Sequence, residues 1–519
     1  MKNLLKIICI ILILSFSSGL WADDSNTIKT LNERAKLHFM NALAPKPNDI
    51  QFFDADFILS KDAKVVFESA CEISKKDKEL LFADFKRSWN LLPNIEFINS
   101  TALNELAEEA YNVDINSNRI LISARDINGL RHAMKTLRQL SEVERGTKNY
   151  VLPFVKIKDA PALKFRGIHM CIFPETTLVE IEKFIRISAY YKFNYIIIEF
   201  WGTYPFEKNK FLSFPDKMMD KKELRRLIDL AWHLGITPIP HFQILGHVTG
   251  SLNGSSKHAI LPNNPELAEL FEPQAWTWCI SNPKTMPIIK EAIAEIHEFF
   301  GNPPFIHTGC DEAHGLMTCY KCRRLDLHDT MKNHLVEVNS YINSRGARMM
   351  MWHDMLVVKG DKKWDGYSTW GDPATDPEKL ARDLPKNIVI CDWEYSEKYK
   401  DMTDFKMHKH FKDLKYDTLV SPCVNKTGMR ALARKAKEDK IYGYLQTTWG
   451  FPYRYQGRTM WYTSSSAAWC NEDNFDGGWV QSCSTFGKHI VDIEKDSNFT
   501  KYEDLGVNQK QTAEFLHRN

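Results

Sequence analysis

Two adjacent carboxylates, Asp311 and Glu312, are the residues of this sequence whose types and spacing best suit acid–base chemistry. They follow residues 304–309, which read PFIHTG and resemble a short strand. Neighbours within a strand point to opposite faces, but where the strand ends in a loop both side chains can enter one pocket. Two close carboxylates resist being ionised together, so one pKa should rise, which leaves an ionised stabiliser beside a protonated general acid. We expect the longer Glu312 to be the acid and Asp311 to stay ionised deeper in the pocket.

The adjacency of the two acids also restricts the mechanism. Glycosidases with two opposed carboxyl groups hold them about 5–5.5 Å apart for retention and further apart for inversion. Sequence neighbours approach from one side and are poorly placed as an opposed acid and nucleophile. A substrate that brings its own nucleophile, such as a 2-acetamido carbonyl, removes this difficulty. The alternative interpretation is structural, because acidic residues also favour the N-terminus of a following helix.

A repeating pattern of strand, loop and helix surrounds this pair of acids. Apolar runs alternate with helical segments, and they predict strands at residues 166–172, 194–200, 236–242, 304–309, 347–352, 388–393, 417–421 and 443–449. Residues 194–200 read NYIIIEF, which is typical of a strand buried on both faces of a parallel sheet. Eight such units predict an α/β fold, a (β/α)8 TIM barrel. A doubly wound open sheet is the alternative, although no glycine-rich phosphate loop follows the first strand.

In barrels of this kind the chemistry lies where strands end and βα loops begin. The predicted strand ends carry an unusual number of acids, histidines and tryptophans, and the candidate binding residues among them are Glu199, His247, Trp352, Asp354, Trp393, Tyr395 and Trp449. Indole faces suit the C–H faces of sugar rings, so the three tryptophans could line a sugar-sized pocket. Any single tryptophan could instead pack in the core. His247 could likewise be a hydrogen-bonded residue of the core.

The segments outside the barrel have simpler patterns. Residues 1–22 combine Lys2 and Lys6 with an apolar run and small residues before a possible cut after Ala22, which predicts a signal peptide. We therefore expect a secreted or periplasmic protein with no membrane span in the mature chain. Residues 23–155 predict a small α+β accessory domain, 156–470 the barrel, and 471–519 a polar C-terminal tail to which the sequence assigns no role.

The amino-acid composition restricts the kinds of molecule that this protein could bind. The 68 basic and 66 acidic residues give a net charge of +2, which is not the electrostatic footprint of a protein that binds nucleic acid or an anionic membrane. Eleven cysteines in a chain of 519 residues are too dilute for a disulfide scaffold. Cys319 and Cys322 form a single C-x-x-C, whereas a zinc site needs four ligands. A local disulfide, a loop-stabilising metal and free thiols all remain open, and a structural role is favoured over a catalytic one.

The sequence resembles the β-N-acetylhexosaminidases of glycoside hydrolase family 20. Their catalytic strand reads His-x-Gly-Gly-Asp-Glu, and residues 307–312 read HTGCDE, with Cys310 in the second glycine position. Three further segments resemble the first three barrel strands of the family: 165–170 (FRGIHM), 192–200 (KFNYIIIEF) and 236–247 (ITPIPHFQILGH). Residues 126–140 resemble the last helix of the family's N-terminal domain.

The resemblance implies an exo-acting hydrolase that releases a terminal β-linked N-acetylglucosamine or N-acetylgalactosamine from a glycan, with no cofactor and no catalytic metal. It implies that Glu312 protonates the leaving oxygen and that Asp311 orients and stabilises the 2-acetamido group. It further implies that Arg166 binds sugar hydroxyls, that His247 lies in the pocket and that Tyr395 donates to the acetamido oxygen.

Two segments depart from the family pattern. The second strand continues as WGTYPFEKN at residues 201–209, where most members have an acidic loop, and residues 447–450 read TTWG without the acidic residue that often follows. Both departures indicate an unusual substrate. They also leave open a non-catalytic carbohydrate-binding protein on a degenerate hydrolase barrel, and the histidines and cysteines leave open a metal-dependent hydrolase.

Overall fold

The computed structural model describes residues 33–248, 260–395, 405–423, 425–449, 455–471 and 478–494. The expected signal peptide, residues 1–22, lies outside the described residues. The described chain divides into two compact units. One unit comprises the residues up to Leu43 together with Asp49–Asp159, and the other comprises Ala44–Asn48 and the residues from Ala160 onward.

The first unit is a seven-stranded mixed sheet with helices, which confirms the predicted α+β domain. The strands lie in the order β1-β7-β4-β5-β2-β3, and β6 pairs with β7. Their bounds are β1 Asp49–Leu59, β2 Lys64–Ser69, β3 Asn94–Asn99, β4 Tyr111–Ile115, β5 Ile120–Ala124, β6 Glu142–Val143 and β7 Tyr150–Asp159. The helices are α1 Glu33–Ala42, α2 Lys75–Trp89 and α3 Ile127–Leu140.

The second unit is a closed barrel of eight parallel strands, so the predicted TIM barrel is confirmed. The strands are β8 Phe165–Ile172, β9 Tyr195–Phe200, β10 Thr237–His241, β11 Phe305–His307, β12 Arg348–Trp352, β13 Val389–Glu394, β14 Asp417–Pro422 and β15 Gly443–Gln446. The helices are α4 Leu178–Tyr190, α5 Lys221–His233, α6 Ile260–Asn263, α7 Thr285–Phe299, α8 Leu327–Ser344, α9 Pro377–Asp383, α10 Met407–Asp413, α11 Lys426–Glu438, α12 Tyr455–Trp469 and α13 Gly478–Glu494.

Alternation along each strand decides which side chains enter the barrel. In β9, Ile196 and Ile198 pack in the core that contains the outer helices, whereas Ile197 packs in the separate core inside the barrel. Glu199 has the same parity as Ile197 and therefore also points inward. The same rule turns His169, at the middle of β8, toward the interior. An apolar interior layer is thus followed by a polar one toward the carboxyl ends of the strands.

Part of the predicted C-terminal tail belongs to the barrel unit. Helix α13 packs on the outer layer, where His489 Nδ1 lies 3.0 Å from the Tyr191 hydroxyl. Phe486 of the same helix stacks on the rings of Tyr191 and Trp461. Residues 478–494 of the predicted tail, to which the sequence assigned no role, therefore form a helix of the barrel unit. No helix of the described chain is long and apolar enough to cross a membrane.

Candidate active site

A tight turn after β11 places both acids of the pair at the mouth of the barrel. The chain turns at Gly309 and Cys310, whose φ angles of 64° and 74° lie in the left-handed region. The side chain of Asp311 is 8% exposed and that of Glu312 is 31% exposed. Asp311 therefore lies deeper and Glu312 faces outward, as their lengths led us to expect.

Two side chains from the loop after β10 hold Asp311. Gln243 Nε2 donates to Asp311 Oδ1 at 2.9 Å, and Gln243 Oε1 accepts from the main-chain N–H of Cys310 at 3.2 Å. His247 Nε2 lies 3.1 Å from Asp311 Oδ2 and 3.3 Å from Glu312 Oε2. A single imidazole nitrogen therefore contacts both carboxylates, which reduces their mutual repulsion when it carries a proton. His247, for which the resemblance implies a position in the pocket, thus lies beside both acids.

The main chain of Glu312 is held from both sides. Its N–H donates to Asp354 Oδ2 at 2.8 Å, and its carbonyl accepts from Trp276 Nε1 at 2.6 Å. The second oxygen of Asp354 accepts from Trp393 Nε1 at 3.0 Å. Asp354 is completely buried, so it supports the turn from below and does not offer an open carboxylate to a sugar. Burial, reinforced by the nearby charge of Asp311, raises the pKa of Asp354 to about 7.

Aromatic side chains from three strand ends form one wall of the mouth. Trp449 Nε1 donates to the Tyr395 hydroxyl at 2.8 Å, and the rings of Trp393 and Tyr395 are 4.9 Å apart. These three side chains are partly exposed, whereas Trp352 is completely buried and lies 5.8 Å from the Trp449 ring. Trp352 therefore supports the wall from behind. The ring of Tyr395 is partly exposed, but its hydroxyl is buried, and this burial raises the pKa of the hydroxyl well above its ordinary value, so it stays protonated as a donor.

A buried polar layer lies among the carboxyl ends of β8 to β11. Glu199 Oε2 is 2.9 Å from His169 Nε2 and 3.2 Å from His241 Nδ1. Glu199 is 2% exposed, so the structure brings it to the barrel interior but not to a surface where a sugar could contact it directly. Burial and the neighbouring histidines hold the pKa of His307 well below its usual range. The layer therefore lies beneath the pocket and is held by the buried contacts of Glu199 with His169 and His241.

Arg166 lies at the other end of the barrel, and the predicted sugar contact is wrong. It is the second residue of β8, and its guanidinium donates to the carbonyls of Leu163 at 2.9 Å and Lys192 at 3.2 Å. The same group lies 4.9 Å from the centre of the Trp469 ring. These partners precede strands or pack at their amino ends, so Arg166 stabilises the closed end of the barrel.

Three clusters of possible metal ligands lie in this region: His169 with Glu199 and His241, His247 with Asp311 and Glu312, and His353 with Asp392 and Glu394. In each cluster the ligand atoms lie within 4.8 Å of one another. The contacts within the first two clusters are those already described. In the third, burial raises the pKa of Asp392 to about 8, so this carboxyl holds its proton near neutral pH. A fourth cluster lies outside the mouth and is considered below.

Two residues that contact the pair of acids were not predicted from the sequence. Gln243 lies two positions beyond the end of β10, so the strand-end rule that selected the other candidates applies to it as well. Trp276 lies in a loop far from any strand end, and only the folded chain brings it to Glu312. The sequence carries no signal for that contact.

Two family models match the chain, one to each unit. Residues 40–160 match domain 2 of glycosyl hydrolase family 20, and residues 201–454 match the catalytic domain of the same family. The chain belongs to glycoside hydrolase family 20. The second match covers β10 to β15 and includes the turn that carries Asp311 and Glu312.

Similar proteins agree with this family 20 assignment. The β-hexosaminidase of Vibrio furnissii is 24% identical over 364 residues, which cover 62% of this chain and 58% of that protein. The alignment therefore spans less than two thirds of that relative. One similar solved structure is the exo-β-N-acetylglucosaminidase of Vibrio harveyi in complex with N-acetylglucosamine. It superimposes with a TM-score of 0.64 at 17% identity, and the aligned part covers 92% of this chain and 80% of that chain. The β-N-acetylhexosaminidase of Bacteroides fragilis has a TM-score of 0.63 at 18% identity, with 90% and 99% covered. These structural likenesses establish the fold.

Proposed function

We propose that this chain is an exo-acting β-N-acetylhexosaminidase that removes a terminal β-linked N-acetylglucosamine or N-acetylgalactosamine from a glycan. The observation that carries the proposal is the arrangement of Asp311 and Glu312 around one nitrogen of His247. Both carboxylates approach from the same side, so they cannot flank a scissile bond as an opposed acid and nucleophile.

A nucleophile from the substrate completes the reaction. The acetamido oxygen forms a bond to the anomeric carbon while the glycosidic bond breaks and Glu312 gives its proton to the leaving oxygen. The buried Asp311 accepts from the acetamido N–H and stabilises the positive charge that develops on the group, and Tyr395 donates to the acetamido oxygen. Water then attacks the anomeric carbon and gives its proton to Glu312, while the bond between the acetamido oxygen and the anomeric carbon breaks. The anomeric carbon has been attacked twice from opposite faces, so the configuration is retained.

The sugar preference rests on the aromatic wall and on the relatives. Trp393, Tyr395 and Trp449 offer flat faces at the mouth, which suit the apolar face of a pyranose. The Vibrio harveyi structure holds N-acetylglucosamine, which supports the glucosamine derivative as the first substrate to test.

The activity is tested by hydrolysis of three aryl glycosides measured side by side. We expect cleavage of the N-acetyl-β-glucosaminide or the N-acetyl-β-galactosaminide and no cleavage of the plain β-glucoside, which lacks the acetamido nucleophile. Cleavage of the glucoside alone would remove the substrate-assisted mechanism. Sugar binding without turnover of either hexosaminide would favour the carbohydrate-binding alternative.

The role of Glu312 is tested with Glu312→Gln on two leaving groups. A general acid contributes about 10²–10⁴-fold, so we expect a loss of this size for a sugar leaving group and a much smaller loss for an activated nitrophenol. Glu337→Gln is the matched control, because this exposed glutamate on α8 pairs only with Lys290 at 2.6 Å among the ion pairs of the described residues. Equal losses on the two substrates would exclude Glu312 as the acid.

We also propose that the protein is exported, because residues 1–22 carry the charge and hydrophobicity pattern of a signal peptide. The N-terminal sequence of protein recovered from the periplasm or medium should begin after Ala22. Recovery of the uncut chain from the cytoplasm alone would contradict this expectation.

A further inference from the structure

A cluster of three cysteines and one glutamate lies beside the candidate active site. Glu272 and Cys279 come from the loop between α6 and α7, and Cys319 and Cys322 come from the segment that follows the two acids. None of the described cysteines forms a disulfide. Neither loop supplies enough ligands for a metal by itself, so only the folded chain assembles a set of four.

The spacing of the sulfur atoms matches a tetrahedral zinc site. Cys279 Sγ lies 3.5 Å from Cys322 Sγ and 3.9 Å from Cys319 Sγ, and all four ligand atoms lie within 4.8 Å of one another. With zinc–sulfur bonds of about 2.3 Å, the sulfur atoms at two corners of a tetrahedron are about 3.8 Å apart. A disulfide would require about 2.05 Å between the two sulfur atoms.

The fourth ligand is a buried carboxylate with an oxygen still available. Glu272 is 2% exposed, and its Oε2 accepts from the main-chain N–H of Cys319 at 2.7 Å. Its Oε1 is buried and has no hydrogen-bond partner among the described residues. A buried carboxylate oxygen without a donor is unfavourable, and a cation between it and the three sulfur atoms would remove that penalty.

The surroundings of the sulfur atoms are those of metal-bound thiolates. The main-chain N–H of Cys322 donates to Cys319 Sγ at 3.3 Å, and the Ser281 hydroxyl lies 2.8 Å from Cys322 Sγ. Donors of this kind orient thiolate ligands and disperse their charge. The same turn carries Lys321, Arg323 and Arg324, whose positive charges offset the excess negative charge of three thiolates and a carboxylate around one divalent ion.

We propose that Glu272, Cys279, Cys319 and Cys322 bind one structural Zn²⁺ ion. Binding releases the three thiol protons, and four protein ligands leave no open position for a substrate or water. The ion would fasten the loop of Glu272 and Cys279 to the turn after the two acids. Trp276 lies on that loop and donates to the Glu312 carbonyl, so the ion also stabilises the segment that holds Glu312 in place.

Metal analysis of the purified full-length protein tests the proposal without any activity assay. Protein prepared without chelators should contain about one zinc ion per chain by elemental analysis. Cys319→Ser and Cys322→Ser should lower the zinc content at least about tenfold, and Glu272→Gln should weaken zinc retention about 10–100-fold against a chromogenic chelator. Cys71→Ser is the matched control, because this thiol is exposed and lies in the other unit, and its zinc content should stay that of the wild type.

Several results would overturn the assignment. The first is a wild-type protein that holds no zinc after incubation with Zn²⁺ under reducing conditions, or that holds iron in place of zinc. The second is an intact mass lower by two hydrogen atoms, mapped to a disulfide within this cluster. The third is unchanged zinc retention in Glu272→Gln. Glu272→Gln keeps all three thiolates and the shape of the replaced side chain, so its zinc retention decides the proposal even if the cysteine variants fail to fold. Because these readouts do not depend on hydrolysis, they remain decisive if the proposed activity fails.

Discussion

Replacement of Gly309 by alanine should disable the pair of acids without changing either of them. A Cβ atom at Gly309 would lie 1.8 Å from Gln243 Oε1 and 2.3 Å from Gln243 Cδ, whereas ordinary contacts between heavy atoms are about 3.5 Å or longer. The Gln243 amide must therefore move away. It then loses its hydrogen bonds to Asp311 Oδ1 and to the main-chain N–H of Cys310.

The size of the effect follows from the contacts that are lost. A neutral hydrogen bond contributes about 0.5–1.5 kcal/mol and one to a charged group about 1.5–3 kcal/mol. Alanine at the φ of 64° found at Gly309 adds strain of about 1–2 kcal/mol. We therefore expect the free energy of unfolding to fall by about 3–6 kcal/mol. Because Asp311 also loses a donor that orients it, kcat should fall about 100-fold.

Chemical denaturation and steady-state kinetics measure the two effects, and Gly346→Ala is the matched control. Gly346 has a φ of 77°, and a Cβ there would meet no described atom within 4 Å, so this variant should show only the strain and retain full activity. In a Gln243→Ala background, Gly309→Ala should likewise cost only the strain. The reasoning is refuted if Gly309→Ala retains wild-type kcat, or if its effect on stability is the same with and without Gln243.

Two further predictions concern buried acids. Asp354→Ala leaves the Glu312 N–H and the Trp393 indole N–H without their acceptor. The free energy of unfolding should therefore fall by about 2–6 kcal/mol, and kcat should fall as well. Unchanged denaturation and unchanged kinetics would contradict this role of Asp354. Burial raises the pKa of Asp392 from 3.8 to about 8. Between pH 3.8 and about 8 the folded protein therefore binds more protons than the unfolded chain, and its stability falls as the pH rises. Melting temperatures between pH 5 and 8 should therefore fall less steeply for Asp392→Asn than for the wild type, and equal slopes would contradict the prediction.

The barrel could be predicted from the sequence because its strands are buried on both faces. Such strands appear as continuous apolar runs, and all eight were placed within a few residues of their bounds. Two long strands of the first unit have no clear strand pattern in the sequence, for physical reasons. In β1 the register shifts between Phe52 and Asp56, so the alternation of buried and exposed residues is interrupted. Strand β7 contains Pro153, which by itself argues against a strand interior.

The candidate site was predictable to the extent that its residues follow strand ends. Asp311, Glu312 and His247 met that condition, and the structure brings them together. Arg166 was placed in the pocket by resemblance, but the second position of a parallel strand lies at the opposite end of a barrel from the chemistry. A sequence also does not show how deeply a side chain is buried. Glu199 and Asp354, which are buried, could therefore not be distinguished from strand-end residues that are exposed to solvent.

The geometry of the two acids depends on groups that are distant in sequence. Four non-glycine residues at the mouth have positive φ angles: His247 (58°), Cys310 (74°), Glu312 (45°) and Trp449 (43°). Each such conformation costs about 1–3 kcal/mol and persists only where the surroundings enforce it. The contacts that enforce it at Cys310 and Glu312 come from Gln243, Trp276 and Asp354, on loops after two other strands.

Cys310 illustrates the consequence, because the family places glycine at its position. Glycine adopts a φ of 74° without penalty, whereas cysteine does so at a cost, and the hydrogen bond from the Cys310 N–H to Gln243 helps to offset that cost. The turn of this chain is therefore more dependent on the loop after β10 than a glycine-containing turn would be. The proposed zinc ion would stabilise the same turn, because it would bind the segment that follows the turn to the loop that carries Trp276.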